Sequence, residues 1–154
     1  MTEAMRIASR CSFAMLAAAM LAACGGPPEP PAAPHEEVLR RGDATVRATV
    51  LQTSTLSDAI AARYGIERGD DIVMLMVGVR QGPGETTVPA TVTASATDLR
   101  GRRHDIPLRE LRAGEVVDHV GTLRAELPAT LDFDVEIRRA GQAPLRMRFN
   151  RDFR

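Results

Sequence analysis

Leu131-Asp132-Phe133-Asp134-Val135-Glu136-Ile137-Arg138 and, after Gly141, Leu145-Arg146-Met147-Arg148-Phe149-Asn150 together decide the fold. In both runs apolar and polar residues alternate with a period of two, the pattern of a strand with one face buried. A turn centred on Gly141 pairs 137 with 145, 135 with 147 and 133 with 149, so apolar side chains meet on one face. The other face then sets Glu136 against Arg146 and Asp134 against Arg148. A slip of one residue would drive these charges into the core, so both faces specify a single antiparallel hairpin.

Working outward, Val46, Ala48 and Val50 alternate with Thr45, Arg47 and Thr49, and Val88 to Thr97 alternates in the same way; two further strands follow. Ile72-Val73-Met74-Leu75-Met76-Val77 is apolar on both faces and bounded by Asp70-Asp71 and Gly78. It reads as a central strand covered on each side and is too short to cross a bilayer. Asp105 to Leu111 and Glu115 to Arg124 supply further strands around the turn Arg112-Ala113-Gly114. The spacing predicts an all-β domain, an immunoglobulin-like antiparallel β-sandwich of about seven strands. One segment departs from the pattern. Ser57 can cap a short helix over 58–64, Asp58 suits the positive end of its dipole, and Gly65 can take the left-handed C-terminal position.

The N-terminus has a different character. Arg6 and Arg10 precede an apolar run from Cys11 to Ala23 that is too short for a permanent span and has the form of an export-signal core. It ends in Leu21-Ala22-Ala23-Cys24, which resembles the lipobox of bacterial lipoproteins, where small residues fit the peptidase and the thiol receives diacylglycerol. Residues 1–23 are thus expected to be a signal peptide and Cys24 the lipidated residue. Met5 offers a second start with a signal of more usual length and leaves the mature chain the same. Gly25, in place of an aspartate, resembles the signal that sends many Gram-negative lipoproteins to the outer membrane, so the expected address is the cell envelope, facing the periplasm.

Residues 24–42 contain Gly25-Gly26-Pro27-Pro28-Glu29-Pro30-Pro31, a composition that cannot bury a core and favours extended polyproline geometry; this stretch reads as a tether, and 43–154 as the domain. With Cys11 lost and Cys24 consumed, no thiol remains for a disulfide. The twenty basic residues are all arginine, which rules out lysine Schiff-base chemistry. Removing Arg6, Arg10 and Glu3 leaves eighteen arginines against nineteen acids, with no basic excess for nucleic acid.

Leu56, Ala61 and Tyr64-Gly65-Ile66 with Arg68, followed by Thr97-Asp98-Leu99 with Gly101, Arg109-Glu110, Phe133-Asp134-Val135, Arg148-Phe149 and Phe153, resemble domain of unknown function family 4426. The resemblance runs over residues 44–154 and is carried by the order and spacing of the motifs. Family members carry aromatic residues in the first strand and near Val117-Asp118-His119, where this chain has few. The resemblance implies an immunoglobulin-like sandwich and an extracytoplasmic location, and it carries no established activity.

The candidate interaction residues are Tyr64, Gly65, Arg68 and Arg109. Tyr64 is the chain's one tyrosine; its structural alternative is to anchor the helix while Gly65 caps it. Arg68 and Arg109 suit an anionic partner, or else pair with Asp70, Asp71 or Glu110. Met74, Met76, Met147, His35, His104 and His119 are ligand types that copper accepts, but their spacing brings no set together, and no metal or cofactor is expected. No serine lies in a nucleophile elbow, and strand alternation sends Asp118 and His119 to opposite faces. Asp132 and Asp134 share a face with arginines opposite, an ion-pair ladder rather than a glycosidase couple. Arg41-Gly42-Asp43 and Arg68-Gly69-Asp70 match an adhesion tripeptide too short to carry meaning. The expected function is a non-catalytic binding or interaction module, attached to the membrane through Cys24 and meeting an envelope protein; periplasmic copper binding is the alternative.

Overall fold

A computed structural model describes residues 35–154, so the expected signal, Cys24 and most of the expected tether lie outside the described residues. The strands are β1 (His35–Arg41), β2 (Ala44–Gln52), β3 (Ile72–Gln81), β4 (Thr86–Thr87), β5 (Thr91–Asp98), β6 (Arg103–Ile106), β7 (Arg109–Ala113), β8 (Val116–Arg124), β9 (Ala129–Arg138) and β10 (Leu145–Phe153). Helix α1 spans Asp58–Tyr64 and follows a 3-10 turn, Thr53–Thr55. One sheet runs β1-β2-β3-β8-β7, with β4 added beside β3, and the other runs β10-β9-β5-β6. Every pairing is antiparallel.

The hairpin from which the fold was read has the expected register: Leu145 pairs with Ile137, Met147 with Val135 and Phe149 with Phe133. Arg146 meets Glu136 at 2.8 Å and Arg148 meets Asp134 at 3.0 Å on the opposite face. The inner faces of the two sheets bury Val46, Ala48, Val50, Leu75 and Val77 against Phe133, Val135, Ile137 and Met147. Phe133 and Phe149 stack with ring centroids 5.1 Å apart. β3 is central, as its two-sided apolarity requires: Val73, Leu75, Val77 and Val79 enter the inter-sheet core, whereas Ile72 and Met74 are buried on the outer face. Val120 on β8 and Ala61 on α1 are buried as well.

Three expectations need correction. Residues 35–41 are a strand rather than tether: β1 pairs residue by residue with β2 from His35↔Val50 to Arg41↔Ala44, so the domain begins at least eight residues before 43. Its edge position and charged sequence hide the periodicity, since only Glu37, Val38 and Leu39 are half-buried. The segment expected as one strand over 105–111 is two. It leaves one sheet after Ile106 and joins the other at Arg109, with Pro107, which has no amide hydrogen to give a ladder, at the crossing. Gly121 lies directly beneath, where a Cβ would come 2.6 Å from the Pro107 carbonyl oxygen. Lastly, the strands among the described residues number ten rather than about seven, through β1, β4 and this division.

The pairing fixes the two ends of the sandwich. β1, β3, β6 and β9 start, and β2, β5, β8 and β10 finish, at one end, which therefore gathers the 53–71, 99–102 and 125–128 connections with the chain entry at His35. The opposite end is closed largely by tight turns. Arg41-Gly42-Asp43 is one of them, with Gly42 at φ 61.

Candidate functional site

The long connections at the N-terminal end are built, not slack. Thr53, fully buried, accepts from the Gly69 amide at 2.9 Å and donates to the Gly69 carbonyl at 3.2 Å, closing the 53–69 segment at its base. Within it, the Ser57 hydroxyl accepts from the Ile60 amide at 3.3 Å, as expected of an N-cap. Gly65 is left-handed at φ 60, ψ 41. Its amide donates to Ala62 and that of Ile66 to Ala61 at 2.8 Å, the paired bonds of a Schellman termination. Tyr64 is half-buried at this corner.

The candidate interaction residues divide between two places. The Arg109 guanidinium reaches across from β7 to donate to the Tyr64 carbonyl, and Gly65 lies beside it, so Tyr64, Gly65 and Arg109 form one cluster. A cation on the last carbonyls of a helix also opposes the negative end of its dipole. Arg68 points elsewhere: it pairs with Asp58 in the first turn of α1 and donates to the Ser54 carbonyl at 2.9 Å. Of the anticipated acidic partners, Asp71 and Glu110 are engaged by other arginines. Asp71 and Glu67 each bind Arg124 at 2.7 Å, which raises the Arg124 pKa, chiefly through the Asp71 hydrogen bond, and Glu110 binds Arg112.

The second built connection is Asp98 to Arg103. The Asp98 carboxylate accepts from the Arg100 and Arg102 amides, both at 2.9 Å, and from Arg102 Nε at 2.8 Å. The Asp98 and Arg102 backbones close the turn at 3.0 Å, with Gly101 at φ 78. The Arg102 amide above all holds the Asp98 carboxyl down at about 2. This turn and residues 124–131 line an open cleft of about 590 Å³ containing Leu99, Arg100, His104, Leu127 and Pro128. His104 Nε2 stands 3.6 Å from Asp98 Oδ2, a neighbour brought by the β5–β6 pairing that sequence spacing alone did not reveal.

A third cluster was also not legible. On the outer face of the larger sheet, Arg80 and Asp118 pair at 2.5 Å over Gly78, whose missing side chain leaves the room they occupy. Arg47 bridges Glu36 at 3.2 Å and Glu85 at 2.6 Å, and the Glu85 hydrogen bond is the main cause of its raised pKa. Register could have predicted the row Val38, Arg47, Gly78, Asp118, Leu111, had β1 been recognised.

The candidate copper ligands are dispersed. Met74 and Met76 lie on the outer face of β3, whereas Met147 and His119 face inward from different sheets. His119 is 8% exposed with its Nδ1 unpartnered, and its strand neighbours in register are Val77 and Glu110. Among the described residues, no three His, Cys, Asp or Glu side chains form a metal-sized group.

Fold and loops together define a two-sheet antiparallel sandwich with its elaborated connections at the end where the chain enters. The chain belongs to the DUF4426 family, a domain of unknown function whose family model matches residues 39–154. A crystal structure of a DUF4426 family protein from Pseudomonas aeruginosa PAO1 is similar to it, with a TM-score of 0.66 and 25% identity over 77% of this chain and 94% of that one. A copper-bound variant of FetP from uropathogenic Escherichia coli strain F11 superposes with a TM-score of 0.56 at 11% identity, over 78% and 95% of the two chains. FetP of the same strain in its as-isolated state gives 0.53 at 14% identity, over 79% and 95%. No match is found among curated proteins.

Proposed function

We propose that this DUF4426 protein is an exported lipoprotein, lipidated on Cys24, whose sandwich serves as a non-catalytic interaction module of the cell envelope. The observation that carries the reading is the position of the lipobox: only residues 25–34, rich in proline and glycine, separate Cys24 from the first residue of β1. Two or more acyl chains on that cysteine anchor a protein stably. Gly25 favours the outer membrane as the destination, with the domain facing the periplasm.

The interaction surface in this reading is the N-terminal end, where the 53–71, 99–102 and 125–128 connections are held in place by specific bonds. Loops fixed on a rigid sandwich are the usual carriers of recognition. The copper of the bound FetP variant does not transfer: the likeness at 11 and 14% identity concerns the fold, and the soft donors among the described residues are spread over different faces. Replacing Cys24 by alanine should move the protein from the membrane to the soluble fraction and leave its thermal unfolding unchanged. Retention in the membrane would refute the lipid anchor. Crosslinking in intact cells should recover a specific envelope protein, and recovery of none would refute the interaction role.

A further inference from the structure

Three large apolar side chains are exposed among the described residues, and Leu99 is by far the most so, at 78% against 45% for Ile60 and 41% for Val116. The turn that carries Leu99 is closed by the Asp98 carboxylate and by Gly101, and nothing in its hydrogen bonding calls for leucine at the tip. Arginines flank it: the side chains of Arg100, Arg102 and Arg103 are 74, 58 and 66% exposed. Arg102 is committed to Asp98. Arg100 and Arg103 have only loose, exposed acidic neighbours, Glu126 at 3.9 Å and Asp105 at 3.4 Å, and such contacts exchange for other anions at little cost. Glu67 and Asp71 are neutralised by Arg124, and the exposed Asp132 lies two strands from Arg103 in the row Arg103, Thr97, Asp132.

An apolar tip ringed by arginines matches a membrane interface, where the leucine enters the acyl boundary and guanidinium groups bind lipid phosphate in a fork. The location fits the same partner. The Asp98–Arg103 turn lies at the end of the sandwich where β1 begins, so it shares an end with the tether. The eleven Cα steps from Cys24 to His35 span at most about 40 Å, which keeps that end close to any bilayer holding Cys24. A site tethered at this range experiences an effective concentration in the millimolar range, so weak intrinsic affinity suffices for docking.

We infer that the 99–103 turn is a membrane-docking loop that seats the N-terminal end of the sandwich on anionic phospholipid, with Leu99 inserted and Arg100 and Arg103 on the headgroup phosphates. The inference rests on the proposed lipid anchor for its geometry, but loop and anchor are tested separately. The full chain, as cells produce it, would carry an environment-sensitive nitrobenzoxadiazole dye on Leu99→Cys or, at the opposite end, on Gln142→Cys. Each would be measured in phosphatidylcholine vesicles with and without phosphatidylglycerol. The dye at 99 should shift to the blue in the anionic vesicles alone, and the dye at 142 in neither. Arg100→Gln or Arg103→Gln should each lower the docking equilibrium about fivefold, and added salt should weaken it further. No shift at 99, or an equal shift at 142, overturns the inference. Intact mass reports lipidation independently. A lipidated chain without the shift refutes the docking loop and leaves the anchor standing, and an unlipidated chain that still shows it supports the loop while refuting the anchor.

Discussion

The two ends of the sandwich are built on opposite principles. At the end away from the chain entry, β1–β2 and β7–β8 are joined by two-residue turns, Gly42-Asp43 and Gly114-Glu115, each placing glycine at positive φ with nothing within 4 Å of where a Cβ would stand. At the N-terminal end the longest connection, 53–71, is held by side chains reaching the backbone, Thr53 to Gly69 and Arg109 to Tyr64, and the 99–102 turn by Asp98 on the Arg100 and Arg102 amides. Turns of the first kind only reverse the chain. Loops of the second kind hold a surface in one shape, which closing a sheet does not require. Such ordering costs roughly 1–2 kcal/mol per residue in backbone entropy, so the N-terminal end is where structure has been invested beyond the needs of folding.

The largest effect should come from the core that both ends share. Phe133→Ala removes a fully buried ring stacked on Phe149 and should cost about 3–5 kcal/mol in urea unfolding, with amide protection falling at both ends together. Next, Thr53→Val deletes both bonds to Gly69 and leaves that backbone unpaired; the expected loss is about 1–3 kcal/mol. Hydrogen exchange should place the change within 53–71 and leave the Gly42 and Gly114 turns alone. A loss spread evenly over both ends would show that the two ends are not held independently. Gly65→Ala forces a Cβ into the left-handed region and should cost about 1 kcal/mol, confined to the end of α1.

The smallest effect concerns acid. The Asp98 carboxyl moves from its ordinary 3.8 to about 2 on folding, so its contribution is whole above about pH 4 and is lost as pH falls through 2. Asp98→Asn should remove that part of the acid limb, and an unchanged limb would show that the 98–102 turn stands without its carboxylate.

How much of this was legible in the sequence follows the same division. The β9–β10 hairpin and β3 could be read because period-two alternation and two-sided apolarity leave a local imprint on the residues concerned. The α1 caps could be read because Ser57 and Gly65 act within one helical turn. β1 was hidden because an edge strand with few half-buried positions looks like the charged linker before it. The division at Pro107 was hidden because alternation continues across a strand that changes sheets. Tyr64, Gly65 and Arg109 were named together with Arg68, which lies elsewhere, and the bond that unites the first three joins β7 to a helix forty-five residues earlier. No local pattern records such a contact. Arg80, Asp118 and Gly78 were missed for the same reason: the cluster exists only once β3 and β8 are placed side by side.

The central claim is that a lipid on Cys24 holds the protein to a bilayer, and the most direct measurement is the intact mass of the protein purified from its native membranes. The account predicts a chain that begins at Cys24 and carries diacylglycerol on that residue. A mass corresponding to the uncleaved chain, or to a cleaved chain bearing no lipid, would contradict it.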